Sequence, residues 1–525
     1  MSLVGAARSR AARTPQVTAF TFLERGEREA GSLSYAQLDL RARAIAARLQ
    51  AHGAAGKPVA LAAPSGLAFV EAFFGCLYAG AIAVPMPDFD TRRGRERAAA
   101  ILRDAAPQLV LCAAPLDLQV PQIAVGTIED GAARDWREPR LEPETLAFLQ
   151  YTSGSTSTPR GAMVSHGALG ANLAMIAGAF RLDAGTRGVS WLPLYHDMGL
   201  IAGVAAPVFA GVPSVLLPPL AFLQNPLRWL SAISRARGST SGAPTFAYEL
   251  CARSLEKAAP QGLDLSCWKI AFCGGEPVRA EALARFARAA APLGFDARAL
   301  MPCYGLAEAT LLVSAAEPGS GVRSIVAPDG RERVDCGRAC AGQRVRVAEG
   351  EEGELLVEGA NLATGYWNRP EASAELFRQI GNQRFLRTGD LGFVRDGHVV
   401  LTGRLKDLMV IRGANHHPED IERTVRGAHP ALAAGAGAAF SVDAGQGEEL
   451  VVVHELARAE GAPEAAGQAA AARIVEEHGL AAREVVLIRP LTLPRTANGK
   501  VQRGRSREAY LAGTLAVLTR HVSRL

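Results

Sequence analysis

Between Leu149 and His166 the chain reads Leu-Gln-Tyr-Thr-Ser-Gly-Ser-Thr-Ser-Thr-Pro-Arg-Gly-Ala-Met-Val-Ser-His. Six of the ten residues from Thr152 to Gly161 are Ser or Thr, two are Gly, and Arg160 supplies one fixed positive charge. Hydroxyls, backbone N–H groups, little bulk and a cation suit a loop that wraps the phosphates of a nucleotide. Thr152, Ser153, Gly154, Ser155, Thr156 and Arg160 are its candidate ligands. It is not a Walker loop, because Pro159 stands where the second Gly of that motif belongs and no Gly-Lys-Ser/Thr follows. Taken alone, the stretch also reads as a solvated Ser/Thr-rich linker.

Five further segments carry residues of chemical interest. They are Trp191-Leu-Pro-Leu-Tyr-His-Asp-Met-Gly-Leu200, Phe272-Cys-Gly-Gly-Glu-Pro-Val278, Met301-Pro-Cys-Tyr-Gly-Leu-Ala-Glu-Ala-Thr310, Arg387-Thr-Gly-Asp-Leu-Gly392 with Gly403-Arg-Leu-Lys-Asp407, and Leu493-Pro-Arg-Thr-Ala-Asn-Gly-Lys-Val-Gln-Arg503. Of 57 basic residues only five are lysines: Lys57, Lys257, Lys269, Lys406 and Lys500. A chain that uses Arg nearly everywhere makes a lysine in such a segment informative. Lys500 in Ala-Asn-Gly-Lys and Lys406 in Gly-Arg-Leu-Lys therefore stand out, although a turn lysine on the surface is the plain alternative. Glu308 has small neighbours that leave it room to meet an ion. No Gly-x-Ser-x-Gly elbow and no His-Glu-x-x-His helix is present, so a protein nucleophile or a zinc peptidase site has no support.

The elements that must hold these segments follow from the apolar patterning. At 525 residues the chain exceeds one core and divides into domains. Apolar strand-like runs alternate with Ala-rich amphipathic stretches over the first 400 or so residues, which predicts an α/β domain with largely buried sheets. From about Asp335 to residue 403 strands and turns take over, predicting a small antiparallel, β-barrel-like subdomain. After Gly403 a compact α+β unit begins anew. The expected division is 1–403, a hinge at 404–407, and 408–525. A charged share of 21%, a net charge of +5 and no basic cluster interleaved with aromatics give nucleic-acid binding no support. No apolar run has the length of a membrane span. The eight cysteines form no Cys-x-x-Cys and read as buried thiols of a reducing compartment, so a cytoplasmic location is expected.

Taken together and in order, the six segments resemble the adenylate-forming superfamily, and their wording is nearest to the fatty acyl-AMP ligases. The resemblance implies the fold just outlined, a large α/β domain with an antiparallel subdomain and a small mobile α+β domain. It also implies a reaction in which ATP and a carboxylate give an acyl-adenylate and pyrophosphate, with Mg2+ as the metal. By it, Thr152 to Gly161 hold the β- and γ-phosphates, and Gly274, Gly275 and Glu276 form an edge for adenine. Tyr304, flanked by Cys303, Gly305, Leu306 and Ala307, packs on the base, and Glu308 binds magnesium. Asp390 and Arg404 take the ribose hydroxyls. Lys500 bridges carboxylate and α-phosphate, a task suited to a flexible point charge, and Lys406 is the hinge. His196 joins the catalytic set, while Met198, Gly242, Phe246 and Tyr248 are candidates for the acyl pocket. The loop departs from the family's pattern at Ser157, where Gly is usual, and at Arg160, where Lys is usual.

The resemblance implies that the acyl group passes to the phosphopantetheine thiol of an acyl carrier protein on a separate chain. Arg412 would crowd the turn that admits pantetheine in coenzyme A ligases. Against this, the segment Pro318 to Val334 is short for the insertion that restrains domain rotation in acyl-AMP ligases. A coenzyme A ligase and a catalytically degenerate ligand-binding relative are the two alternatives.

Overall fold

The computed structural model describes residues 1–87, 89, 92–151, 159–411, 414–443, 448–456, 463–495 and 501–522. Among these, one compact unit holds 1–151, 159–388 and 393–401, and a second holds 389–392 and 402–522.

In the larger unit, six strands form a sheet in the order Gln122–Ala124, Leu109–Cys112, Pro58–Ala62, Ile82–Pro85, Leu146–Tyr151, Gly161–Ser165. Every pair is parallel except the last. Pro58–Ala62, Ile82–Pro85 and Leu109–Cys112 are buried throughout. That is why they are apolar at successive positions instead of alternating. Helix Leu67–Ala79 covers this region against Tyr35–Ala51. Their close approach rests on Gly75, where a Cβ would lie 2.3 Å from Ile45 Cγ2. Ser34 starts Tyr35–Ala51 with a capping box: its hydroxyl accepts from Gln37 N–H at 3.2 Å and the Gln37 side chain accepts from Ser34 N–H at 2.8 Å.

A second, larger sheet of the same unit has six parallel strands at its centre. Their order is Leu300–Gly305, Ile270–Cys273, Thr240–Ala243, Gly188–Ser190, Ser214–Leu216, Thr18–Glu24. Beyond Leu300–Gly305 the sheet turns antiparallel through Leu312–Ala315 and Glu332–Ala339. The strand-and-turn region expected as a small subdomain is thus hydrogen-bonded onto the main sheet. The segment 318–334 contributes a short hairpin, Ser324–Val326 paired with the start of Glu332–Ala339. Strands Thr240–Ala243, Ile270–Cys273 and Leu300–Gly305 end side by side. Carboxyl ends of parallel strands are where open α/β sheets bind ligands.

The smaller unit has a four-stranded sheet in sequence order, Gly437–Asp443, Glu448–Glu455, Ala482–Ile488, Val517–Val522, whose central pair is parallel. Leu450 and Val452 pack into one core with Ile421, Val425 and Ile474, while Val451 and Val453 face a second with Phe440, Val486 and Ile488. The two-residue period of a strand lets one apolar run serve both faces.

Each unit carries one buried histidine held neutral. His166 opens helix His166–Ala179 and is 3% exposed, and neither ring nitrogen has a hydrogen-bond partner among the described residues. His454, in Glu448–Glu455, is fully buried with Nδ1 2.9 Å from the Glu455 carbonyl oxygen. Burial lowers each pKa to about 4 from 6.5. Below pH 6.5 the unfolded chain binds protons that the folded chain refuses until about pH 4. Stability is therefore full above pH 6.5 and falls by roughly 1.4 kcal/mol per histidine per pH unit across that window. Urea unfolding from pH 7.5 to 5 should show this loss, and His166→Leu should flatten the slope of the larger unit.

Candidate active site

The ends of the central parallel strands supply most of the site in the larger unit. Gly274 follows Ile270–Cys273, and a Cβ there would lie 2.7 Å from the Cys303 carbonyl oxygen, so the two strand ends converge only because Gly274 has no side chain. Gly275 has φ +79°, a region Gly enters without strain. Its position would put a Cβ 3.5 Å from Met198 Cε, which brings Met198 to the same strand end. Glu276 turns its carboxylate onto the Phe246 N–H at 2.8 Å, at the start of helix Thr245–Lys257. Cys303 and Tyr304 are buried at the end of Leu300–Gly305.

Next to these ends lies the loop of His196. The His196 imidazole Nδ1 is 2.6 Å from Asp197 Oδ1, and that carboxylate oxygen also accepts the Met198 N–H at 2.7 Å. Asp197 thereby orients the ring while it starts Met198–Ala205, which winds as a π-helix. Wide turns of this kind concentrate at functional sites. Gln150 donates to the Tyr195 carbonyl at 3.0 Å, tying the loop to strand Leu146–Tyr151.

Glu308 lies in the short turn Ala307–Ala309 just past Tyr304, with Leu306 and Ala307 before it. Its Oε1 accepts the Tyr366 hydroxyl at 2.6 Å. The Arg160 guanidinium lies 5.6 Å from the centroid of the Tyr366 ring. Burial, reinforced by Glu308, pushes the Tyr366 phenol far above its ordinary pKa, so it donates at any physiological pH. Tyr366 was not among the sequence candidates, and neither was Asn361, whose side chain grips this turn.

The four acyl-pocket candidates fall in different surroundings. Gly242 lies under Phe272, where a Cβ would meet the Phe272 carbonyl oxygen at 2.2 Å. Phe246 meets Trp191 edge-on at 6.2 Å, and Trp191 stacks on Phe222 at 3.8 Å. Tyr248 is fully buried against Trp268 and Phe286, with its hydroxyl on the Phe272 carbonyl at 2.9 Å. A narrow apolar cavity of about 20 Å³ adjoins this region, walled by Phe180, Val189, Ala202, Gly203 and Phe272.

In the smaller unit, Asp390 is 4% exposed and pairs with Arg404 Nε at 2.8 Å. Lys406 is exposed on the turn Leu405–Asp407. In the same unit Arg503, its side chain 16% exposed, lies among three carboxylates: both oxygens of Glu422 at 2.7 and 2.8 Å, Asp407 at 2.9 Å and Glu419 at 2.8 Å. Burial raises the Glu419 pKa, while Glu422 and its neighbours hold Arg503 charged against the cost of burial. Thr152, Ser153, Gly154, Ser155, Thr156 and Lys500 lie outside the described residues. Arg412 does so too.

The family model described as AMP-binding enzyme matches residues 7–367, and one described as Disco-interacting protein 2-like, AMP domain, matches residues 406–520. The chain is 38% identical to the medium-chain-fatty-acid–[acyl-carrier-protein] ligase JamA of Moorena producens, over 95% of this chain and 93% of that protein. It is 36% identical to the long-chain-fatty-acid–AMP ligase FadD32 of Mycolicibacterium smegmatis, over 92% and 89%. The fatty acyl-adenylate ligase of L. pneumophila, solved in complex with acyl adenylate and pyrophosphate, superposes with a TM-score of 0.76 at 36% identity, over 99% of this chain and 98% of that one. The chain therefore belongs to the AMP-binding, adenylate-forming enzymes, in the branch of the fatty acyl-AMP ligases.

Proposed function

We propose that this protein activates a fatty acid or related carboxylate with ATP and passes the acyl group to a carrier protein on another chain. One observation carries the reading: the L. pneumophila relative, which matches nearly the whole chain, holds acyl adenylate and pyrophosphate. In the first step a carboxylate oxygen attacks the α-phosphorus, the bond to the β-phosphate breaks, and pyrophosphate leaves. In the second the pantetheine thiol attacks the acyl carbon, loses its proton, and AMP leaves. Both partners of the first step are anions, so neutralising charge and aligning the two are the main tasks of the site.

The residues are assigned accordingly. Arg160 and the loop before it hold the β- and γ-phosphates, and Gly274, Gly275 and Tyr304 frame the adenine. Asp390 with Arg404 receives the ribose diol. His196, aimed by Asp197, lies beside Met198 where the acyl chain departs from the nucleotide, and Phe246 and Gly242 shape its path. Among the described residues no three His, Cys, Asp or Glu side chains gather as a metal site. Glu308 alone fits magnesium of the kind held by one carboxylate plus substrate phosphates and water. An ion so held would neutralise the phosphates as charge moves to pyrophosphate. Among the described residues no helix is long and apolar enough to cross a membrane.

The test is ATP–pyrophosphate exchange with fatty acids of graded length, followed by addition of either coenzyme A or phosphopantetheinylated carrier protein. Exchange with fatty acids and loading of the carrier are expected, and chelating the divalent metal should stop both. Clean acyl-coenzyme A formation without carrier loading would overturn the acceptor, and absence of exchange with every carboxylate would leave a ligand-binding relative.

A further inference from the structure

The turn that presents Glu308 has an unusual backbone. Thr310 has φ 66° and ψ −61°, and the Leu311 N–H reaches back to the Ala309 carbonyl at 2.8 Å. These are the dihedrals and the bond of a classic γ-turn, the rare and strained hand. Glycine would enter this region at little cost, yet the chain uses a β-branched residue there, fully buried. The Thr310 hydroxyl accounts for the choice: it donates to the Asn361 carbonyl at 2.6 Å. The Asn361 side-chain amide in turn donates to the Ala309 carbonyl at 2.7 Å, and the Ala363 N–H donates to the Glu308 carbonyl at 2.8 Å. Asn172 brackets the exit, accepting from Leu312 N–H at 3.1 Å and donating to its carbonyl at 2.8 Å.

The same segment reaches the carboxylate itself. Tyr366, five residues beyond Asn361, donates its hydroxyl to Glu308 Oε1. Backbone bonds fix the segment on the strand that follows Arg160: Met163 N–H to the Gly365 carbonyl at 2.9 Å, and Trp367 N–H to the Gly161 carbonyl at 2.8 Å. The turn after Glu308, the Glu308 carbonyl and its side chain are thus gripped from one place. Outliers of this kind persist only where the surroundings over-determine them, and they cluster at functional sites.

We propose that Asn361–Tyr366 is a clamp that presets the Glu308 carboxylate for the divalent cation of the nucleotide. Tyr366 holds one carboxylate oxygen and leaves the other for the ion, while Thr310 and Asn361 fix the backbone from which the side chain springs. Tyr366, Thr310 and Asn361 are positioning residues. This rests on the reading of Glu308 as the magnesium carboxylate.

The experiment measures binding of the Mn2+–ATP complex to the full-length protein, by the enhancement of water-proton relaxation over Mn2+–ATP alone, beside the Mg2+ dependence of exchange. Tyr366→Phe should weaken Mn2+ binding by about tenfold, as loss of a partner to a metal ligand does. It should raise the half-saturating Mg2+ by a similar factor and leave the KM for fatty acid unmoved. Thr310→Val should act in the same direction, and Thr310→Ser, which keeps the hydroxyl, should restore binding. Unaltered Mn2+ affinity in a folded Tyr366→Phe or Thr310→Val variant would overturn the clamp, whatever happens to the melting temperature. Native protein that binds no Mn2+ with ATP would instead overturn the role of Glu308 on which the clamp depends.

Discussion

Lys500→Ala is expected to lower ATP–pyrophosphate exchange by roughly 10²–10³-fold, the usual cost of removing one preorganised charge from a developing transition state. Lysine is scarce in this chain: five stand among 57 basic residues, and one of them falls in the segment that the resemblance assigns to bridging carboxylate and α-phosphate. Attack of one anion on another is slow unless a cation follows the charge as it moves. An ammonium on a flexible stem can do so, whereas a planar guanidinium is committed to its fork. Lys500→Arg should therefore recover only a small part of the rate although the charge is kept. Transfer from pre-formed acyl-adenylate to the carrier should survive in both variants, because the mixed anhydride is already activated and the thiol brings no second phosphate charge. The flanks of the segment are fixed independently of Lys500, by the bridge between Arg495 and Val501 and the Arg495–Glu455 pair at 2.6 Å. The melting temperature should stay near that of the native protein. An exchange rate unchanged by Lys500→Ala would remove the lysine from the chemistry.

What the sequence disclosed depends on whether the physical cause is local. Gly274, Gly275 and Gly305 stand out in the sequence through the resemblance alone, and the structure supplies a local reason for glycine at each: close backbone contact at Gly274 and Gly305, a positive φ at Gly275. At Gly305 a Cβ would lie 1.8 Å from the Leu311 carbonyl oxygen. The buried parallel strands were legible from their unbroken apolar runs. The order of the larger sheet was not, since it follows crossovers between strands far apart in the chain. Tyr366 and Asn361 were missed for a similar reason: their partners are 58 and 52 residues away. The motif Gly365-Tyr366-Trp367 reads as plain core by itself. The π-helix at Met198–Ala205 left no mark in composition, because a run of small apolar residues fits several helical pitches. Phe246 and Tyr248 looked equivalent as aromatics, yet a helix turns residues two apart to different sides, and Tyr248 packs into the core. In the sequence Asp407 stands out only as the end of Gly403-Arg-Leu-Lys-Asp407. Its partner, Arg503, lies 96 residues on.

That pairing sets the second large effect, on stability. Arg503→Met is expected to destabilise the smaller unit by about 3–5 kcal/mol, the range for removing one partner of a buried ion pair. The side chains of Arg503, Asp407, Glu419 and Glu422 are only 11–18% exposed, so solvent screens them little. With the guanidinium gone, the three carboxylates lose the cation they share, and burial already raises the pKa of Glu419 while Arg503 is present. Arg503→Lys should fall between the two, because one ammonium cannot meet both oxygens of Glu422 and also reach Asp407 and Glu419. Adding Glu422→Gln and Glu419→Gln to Arg503→Met should recover much of the loss, since the penalty lies in the unpaired charges and not in the missing contacts. Urea unfolding followed by a probe in each unit would check this, with the transition of the larger unit left in place. A loss below about 1 kcal/mol, the ceiling for exposed pairs, would show that water screens the cluster after all. The contrast with Lys500 is itself diagnostic. Arg503→Met should lower exchange and stability together, whereas Lys500→Ala should lower exchange alone, although the two residues are three positions apart.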